Sequence, residues 1–263
     1  MQEVFTASGS GEHIGSAGSQ FVESGGSVTG VLIASGGSQF VLSGGTAIST
    51  FVESGGIEIV STGGSDFTAS LFGEQDVFGT ASGATVFAGG VQDVEAGGVA
   101  IGTVLDDHDS QVVFSGGIAI GTVVSGTDSQ VVQSGGIASN TVISGGTLDV
   151  QAGGIVSGAV TFHGSGGTYQ IDGAAIPGAL VSGFVSGDSF VLNGITFDPS
   201  GHVDLVNSGA VHNQLQISEN GSTYDINLDP AQDFTGDYFH PSPMSPPAPW
   251  SPKTRRHATA PAR

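Results

Sequence analysis

Apolar and polar residues recur along this chain at fixed positions in a period of about 19 residues. The pattern is clearest in SGGIAIGTVVSGTDSQVVQ at 115–133, which SGGIASNTVISGGTLDVQ follows at 134–151. Ala119 returns as Ala138, Thr122 as Thr141 and Val123 as Val142. Self-similarity at a fixed period is the sequence signature of a repeat protein.

The repeat extends over most of the chain when its units are aligned on Ser-Gly-Gly. About nine units begin at Phe5, Ser24, Ser43, Thr62, Ala81, Ala96, Ser115, Ser134 and Ala152. Apolar residues recur at positions 5, 9, 17 and 18 of the unit; position 9, for example, holds Leu32, Phe51, Val104, Val123 and Val142. The unit at Ala81 has only 15 residues, which predicts a local change in coil shape and no domain break.

The residue types favour strands over helices. Val, Ile and Thr dominate the segments, and glycine interrupts them every 8 to 11 residues, which leaves no room for a stable helix. Each unit therefore predicts strand, glycine turn, strand, glycine turn. One unit cannot bury its few apolar side chains alone, but stacked units can, with position 9 of one unit on position 9 of the next. The sequence predicts an all-β protein, a parallel β-helix (solenoid) of about nine coils of about 19 residues over residues 1–171.

The period is lost near Ile171. Short alternating segments follow, and they predict strands at 189–192, 195–197, 214–218 and 224–228. Asn220-Gly221 predicts a hairpin turn between the last two. We interpret 172–240 as a small β cap, which would cover the open end of the solenoid.

Residues 241–263 differ in composition from everything before them. They hold seven of the ten prolines, the only Trp and all four basic residues. The segment is therefore a Pro-rich disordered tail or out-of-frame sequence, and the abrupt change after His240 favours the second interpretation.

Charge excludes several classes of function. All 24 acidic residues lie at or before Asp237, whereas Lys253 is the first basic residue, so residues 1–240 carry a formal charge of −24. Such a surface repels nucleic acid and anionic lipid. Cysteine is absent, no apolar run reaches the length of a membrane span, and the N-terminus has no classical signal-peptide pattern.

The repeats resemble the AIDA-type (strand-loop-strand) repeats of bacterial autotransporter passengers. SGGTAISTFVESGGIEIV at 43–60 and SGGIASNTVISGGTLDV at 134–150 carry this resemblance, which covers roughly 5–165. It implies an extracellular β-helix, secreted or at the cell surface, in adhesin and biofilm roles, whose Ser and Thr can carry O-linked heptose. A C-terminal membrane barrel is missing. The 172–240 region also looks like the junction before Hint-type self-processing domains, although the Cys nucleophile of such a domain is absent.

The densest polar cluster is Asp106-Asp107-His108-Asp109, which raises the possibilities of a cation site or a glycosidase-like carboxylate group. Because Asp109-Ser110-Gln111 returns as Asp128-Ser129-Gln130, we interpret the cluster as an ordinary loop of the repeat. Asp93 with Glu95, and Asp109 stacked on Asp128, are the carboxylate pairs that a hydrolase would need. Neither pair has an aromatic platform nearby. The seven histidines are scattered without metal-ligand spacing: His13, His108, His163, His202, His212, His240 and His257.

The sequence thus predicts no catalytic, cofactor-binding or metal-binding residues and no enzyme. Its leading hypothesis is a structural surface module of adhesin type, whose partners are a host or bacterial surface or a second copy of itself, with no nucleic acid and no membrane insertion. The alternative is a non-adhesive spacer or passenger upstream of a lost Hint-type domain. A glycan-active β-helix enzyme is the third hypothesis.

Overall fold

The computed structural model describes residues 2–208, 211–235 and 237–243, and every regular element in them is a β-strand. The strands of the first half are β1 (Gln2–Ser10), β2 (His13–Ile14), β3 (Gly18–Thr29), β4 (Leu32–Ile33), β5 (Ser38–Val41), β6 (Thr46–Ile48), β7 (Phe51–Val52), β8 (Ile57–Val60), β9 (Ser65–Phe67), β10 (Ser70–Leu71), β11 (Glu74–Val77), β12 (Thr80–Ser82), β13 (Thr85–Val86), β14 (Val91–Val94), β15 (Val99–Ile101) and β16 (Val104–Leu105). Those of the second half are β17 (Ser110–Val113), β18 (Ile118–Ile120), β19 (Val123–Ser125), β20 (Ser129–Val132), β21 (Ile137–Ser144), β22 (Thr147–Val150), β23 (Ile155–Phe162), β24 (Thr168–Asp172), β25 (Leu180–Ser182), β26 (Ser189–Asn193), β27 (His202–Ser208), β28 (Val211–Glu219) and β29 (Ser222–Leu228).

The chain winds into a parallel β-solenoid of about ten turns, which confirms the predicted fold class. Each regular coil contributes three strands, as β5, β6 and β7 do, and each strand pairs in parallel with its equivalents one coil away. We call the three resulting sheets the first, second and third face, after the order of β5, β6 and β7. On the first face, successive parallel pairings join β1, β3, β5, β8, β11, β14, β17, β20, β22, β24 and β26.

The coil has three strands rather than the predicted two because a single residue makes the corner between the second and third faces. That residue adopts a left-handed conformation in successive coils, as in Gly30 (φ 65°), Ser49 (φ 55°), Thr68 (φ 59°) and Asn140 (φ 54°). Its N–H donates across the coils, for example from Ser49 to the carbonyl of Phe67 at 2.7 Å. Glycine fills the corner in several coils because it has no Cβ penalty there. In other coils the corner is a single residue other than glycine. The sequence pattern, in which Gly-Gly indicates the other turns, therefore did not predict it.

The core is a stack of small β-branched side chains. Position 18 of the unit, in Val22, Val41 and Val60, and position 5, in Val28 and Ala47, are fully buried. Positions 9 and 17 stack coil on coil as predicted, for example Leu32 on Phe51, but they point outward. The expectation that stacking buries position 9 is therefore wrong. The residue after position 9 enters the core instead, as in Ile33, Val52 and Leu71. The equivalent residues of the following coils are Val86, Leu105, Val124 and Ile143.

The unit at Ala81 has four residues fewer than a regular unit of 19, and the structure places this shortening just before Ala81. Coils are 19 residues apart at Gln20 and Gln39 but 17 apart from Glu58 to Gln75 and from Gln75 to Gln92. The two shortened turns are the links from β10 to β11 and from β11 to β12, at 72–73 and 78–79. A Cβ on Gly79 would lie 2.4 Å from the carbonyl oxygen of Ser61, so the short turn needs glycine to sit against the longer turn beneath it. The parallel ladder passes through this region without a break, as predicted.

Parallel pairing continues beyond Ile171. β24 pairs with β26 on the first face, and β25 pairs with the end of β29. β27, β28 and β29 form an antiparallel meander, and Asn220 (φ 52°) and Gly221 (φ 76°) make the predicted hairpin turn. Residues 195–197 are not a strand, and β27 was not predicted. The division into 1–171 and 172–240 stays a prediction, and the predictions for the tail concern residues that lie, after 243, outside the described part of the chain.

Candidate functional site

The cluster at 106–109 is the turn between the third and first faces, as the repeat predicted. Asp109 and Asp128 occupy the same place in successive coils and are 3% and 1% exposed. The Asp109 carboxylate accepts from the backbone N–H groups of Gly89 (2.7 Å) and Asp106 (3.1 Å). The Asp128 carboxylate accepts from the N–H of Asp109 at 3.0 Å. These acids therefore hold turns of successive coils together, where other coils use Gly-Gly, and their oxygens are occupied by backbone donors.

Within the described residues, the two histidines that pair with acids, His108 and His202, do so on the surface and away from the carboxylates of Asp109 and Asp128. His108 Nδ1 lies 2.6 Å from a carboxylate oxygen of Asp107, and both side chains are exposed. The hydrogen bond that His108 donates to Asp107, followed by the charge of Asp107, raises the pKa of His108. His202 lies 3.3 Å from Asp204 on the cap, far along the chain from this turn. Such exposed pairs contribute little to stability.

A second acidic group lies on the outer side of the first face. One carboxylate oxygen from each of Glu74, Asp76 and Asp93 lies within 4.8 Å of the others. Asp76 pairs with Asp93 in adjacent strands β11 and β14, so their proximity follows from the register. Asp93 was predicted as a partner of Glu95, but the structure brings it to Glu74 and Asp76. A cluster of surface acids is not by itself a metal site, and the absence of site residues stays a prediction.

A ladder of buried polar side chains, which was not predicted from the sequence, runs inside the solenoid along the first face. It contains Gln20, Gln39, Glu58, Gln75, Gln92, Gln111 and Gln130, all at most 1% exposed. Four of the glutamines, Gln39, Gln92, Gln111 and Gln130, donate from Nε2 to the Oε1 of the glutamine one coil earlier, at 2.6 Å from Gln39 to Gln20 and 2.7 Å from Gln111 to Gln92. Threonine hydroxyls donate to the same oxygens, as Thr122 does to Gln111 at 2.9 Å. The signal that could have found the ladder is Gln at position 16 of four units, in Gln20, Gln39, Gln111 and Gln130.

Glu58 and Asp66 interrupt this ladder with a buried acidic pair. Both are fully buried, and Gln75 Nε2 donates to Glu58 Oε2 (2.7 Å) and to Asp66 Oδ2 (3.0 Å). Burial raises the pKa of Glu58 well above its ordinary value, and the charge of Asp66 raises it further, while hydrogen bonds from Gln75 and Thr50 oppose both. Burial also raises the pKa of Asp66 to about 7. Within the described residues, Glu58 Oε1 and Asp66 Oδ1 have no hydrogen-bond partner.

The outer surface of the second face carries no charge over eight coils. Its outward residues form two columns, one of Ser27, Thr46, Ser65, Thr80, Val99, Ile118, Ile137 and Ile155 and one of Thr29, Ile48, Phe67, Ser82, Ile101, Ile120, Ser139 and Ser157. Six of these make a continuous aliphatic area on β15, β18, β21 and β23, which we call the aliphatic face: Val99, Ile101, Ile118, Ile120, Ile137 and Ile155. Ile101 is 40% and Ile155 48% exposed.

Aromatic rings form stacks on the other outward columns. Phe21 and Phe40 on the first face stack at 4.9 Å between ring centroids. Phe51, Phe72 and Phe87 follow one another at 5.1 Å along the edge of the third face. Because each ring covers the face of the next, the rings stabilise neighbouring coils and leave few open ring faces for a ligand.

An open cavity of about 1180 Å³ lies at the C-terminal end, between the last coil and the cap. Its walls are mostly apolar and include Phe190, Leu215 and Phe239. No helix in the described part of the chain has the length and apolar character that crossing a membrane requires.

These observations define a repeat protein in which acids and amides form hydrogen bonds between the coils of a solenoid. Its outer faces extend over many coils and differ in charge. The family model described as adhesin of the bacterial autotransporter system, probable stalk, matches residues 10–71. A crystal structure of a TibC-catalysed, hyper-glycosylated TibA fragment is similar, with 34% sequence identity, a TM-score of 0.62 and coverage of 73% of each chain. Comparison with curated protein sequences finds no match.

The chain therefore belongs to the AIDA family of autotransporter adhesins, and it is a surface repeat module of the adhesin type. The family consists of secreted or cell-surface passengers with a structural β-helix. The resemblance drawn from the repeats is confirmed, whereas the relation to Hint-type proteins stays a prediction.

Proposed function

We propose that this solenoid is a cell-surface or secreted stalk that associates with a second copy of itself through the aliphatic face. The observation that carries the proposal is the absence of charge from the whole outer second face of a chain with 24 acidic residues. Outward acids of the coils lie instead on the first face and in turns, as Glu74, Asp76 and Asp93 do. Two such rods repel each other wherever their acids meet. The uncharged second face is therefore the surface through which a second copy can approach, and we favour a second copy as the partner.

The size of the face sets the strength of the contact. Four coils at about 4.8 Å and a width of about 10 Å give roughly 200 Å² for the aliphatic face of each partner. A stable interface needs about 800 Å² per partner, so one contact between two free molecules is weak. Many copies held on one surface add their contacts, which makes such a face effective between cells rather than in dilute solution.

The test is aggregation of beads that carry the chain at high density. Ile118→Glu places a charge at the centre of the aliphatic face, and we expect it to reduce bead aggregation at least tenfold. Val123→Glu is the matched control, because Val123 is an outward, partly buried residue of the same coil, on β19 of the third face. Circular dichroism of both variants checks the fold.

Three outcomes would contradict the proposal. Equal loss in the two variants would show that the second face has no special role. Beads that bind host cells but not each other would favour adhesion to a host surface. Unaggregated beads without cell binding would favour the spacer alternative.

We also propose that exposed serines of the turns are glycosylation sites, since the similar TibA fragment is hyper-glycosylated. Ser43, Ser115 and Ser134 are exposed and lie in the turns between the first and second faces, and the equivalent Ser24 is exposed within β3. Mass spectrometry of the chain co-expressed with TibC tests this proposal, and an unmodified mass would contradict it.

A further inference from the structure

The hydrogen bonds of the ladder all run in one direction, from the amide of one coil to the carbonyl oxygen of the preceding coil. Glu58 interrupts this order, and its position indicates which of its oxygens carries a proton. In the coils that follow, every amide donates from Nε2 to the preceding Oε1: Gln92 to Gln75, Gln111 to Gln92 and Gln130 to Gln111, each at 2.7 Å. Glu58 Oε2 accepts from Gln75 and so plays the part of a glutamine Oε1. Because Glu58 pairs with Gln39 in the adjacent strand, we infer that its other oxygen, Oε1, takes the place of the Nε2, where the ladder requires a donor.

A carboxylate cannot donate, whereas a carboxylic acid can. Gln39 Nε2 already donates to Gln20 Oε1 at 2.6 Å, so its Oε1 is the atom that faces the next coil. Thr50 donates its one hydroxyl proton to the same oxygen at 3.3 Å. We propose that Glu58 is held as the neutral acid and donates from Oε1 to Gln39 Oε1, so that its protonation locks the middle of the solenoid and its ionisation loosens it.

The surroundings offer Glu58 no cation, and the single hydroxyl proton of Thr50 cannot serve both Gln39 and Glu58. Of the side chains that enter the core from β5, β7, β9 and β11, Asp66 is the one titratable group, and Lys and Arg are absent from residues 1–252. Glu53, Glu74 and Asp76 of the same coils point outward. An ionised Glu58 would therefore be a buried charge beside a second acid with no cation, which is strongly unfavourable.

The sign of the pH dependence follows from the raised pKa. The folded chain keeps a proton on Glu58 at pH values where the unfolded chain has lost it. The stabilisation is fully present below the ordinary pKa of glutamic acid and is lost as the pH rises through the folded pKa. One retained proton raises the unfolding equilibrium constant tenfold per pH unit in that window.

Glu58→Gln tests the proposal, because glutamine is the residue that the adjacent coils carry at this place. We expect the wild-type unfolding constant, measured in urea from pH 5 to pH 8, to rise relative to that of the variant by about tenfold per pH unit. Glu53→Gln, which removes an exposed acid in the preceding turn, should follow the wild type. Profiles of Glu58→Gln and wild type that stay parallel would overturn the proposal.

Infrared spectroscopy from pH 5 to pH 8 gives a second, direct measurement. The carbonyl stretch of protonated carboxyl groups should be stronger in the wild type and in Glu53→Gln than in Glu58→Gln, where Asp66 is the remaining acid of the buried pair. Equal bands in the three proteins over the whole range would show that Glu58 is not the donor.

Discussion

Single glycines of the turns decide whether the coils can stack. The second glycine of each Gly-Gly pair lies directly on the preceding coil; a Cβ on Gly98 would lie 1.9 Å from the carbonyl oxygen of Val77. That atom belongs to the backbone of β11 and cannot turn away as a side chain could. The first glycine of a pair is required by its positive φ. The second is required because the backbone of the preceding coil leaves no space for a Cβ.

Gly98→Ala is therefore expected to lower the free energy of unfolding by about 2–3 kcal/mol, through overpacking against the neighbouring coil. Urea unfolding measures the change. Gly178→Ala is the control, since a Cβ there meets no atom within 4 Å, and it should shift stability by no more than about 0.5 kcal/mol. A similar effect of both substitutions would mean that glycine acts through chain flexibility rather than close approach.

At the scale of an element, the amide ladder makes neighbouring coils depend on one another. Gln111 donates to Gln92 and accepts from Gln130 and Thr122, so it serves three partners. Gln130 donates to Gln111 and accepts from Thr141 alone, because the next coil carries Leu148 at this place. Leu148 also shows that the core can accommodate leucine there.

Gln111→Leu should therefore cost more than Gln130→Leu. The first change leaves the Thr122 hydroxyl and the Gln130 amide without their partner, at about 1–3 kcal/mol for each buried group, whereas the second leaves only the Thr141 hydroxyl. Chemical unfolding of both variants measures the difference. Equal losses would indicate that the cost arises from packing and that the hydrogen bonds of the ladder contribute little.

The repeat period was sufficient to predict the solenoid, because register follows from the recurrence of Ala119 as Ala138 and Val123 as Val142. It could not show which apolar columns face inward. Val and Ile occur on both sides of these strands, as Val131 and Val132 do, so the alternation that normally marks the buried side is absent. The buried glutamines are the opposite exception. A polar residue that alternates with apolar ones in a strand is expected to face solvent, but these glutamines face the core.

The candidate chemistry was predictable only where it repeated. Recurrence of Asp-Ser-Gln identified the turn at 106–109 as structural, and the hydrogen bonds of Asp109 and Asp128 explain why acids occur there. Glu58 and Asp66 lie 8 residues apart, and nothing in that spacing indicates that both enter the core. Their encounter depends on the corner between faces, which the sequence analysis did not resolve.

At the scale of the whole molecule, each coil pairs only with its neighbours, so stability accumulates along the axis as in other solenoids. The antiparallel meander of β27, β28 and β29 pairs with β25 through the end of β29. The outer faces remain open along the length of the rod. Their chemistry differs: acids lie on the first face, whereas the second face has none.

This asymmetry makes the salt dependence of self-association diagnostic. Two rods that meet through the uncharged second face still repel through the acids of their other surfaces, and salt screens that repulsion over a Debye length of about 10 Å at 0.1 M. Aggregation of wild-type beads should therefore increase as sodium chloride rises from about 10 mM to about 150 mM. An interface built from ion pairs would weaken over the same range.

The four basic residues, Lys253, Arg255, Arg256 and Arg263, are the cations of the chain that such ion pairs would use. A chain ending at residue 243 removes them, and its aggregation should show the same increase with salt. Aggregation that falls with salt in the full chain and disappears in the shortened one would replace the aliphatic contact with an ionic contact between the basic segment and the acidic first face. Because the two mechanisms predict opposite slopes, one salt series on the two chains decides between them.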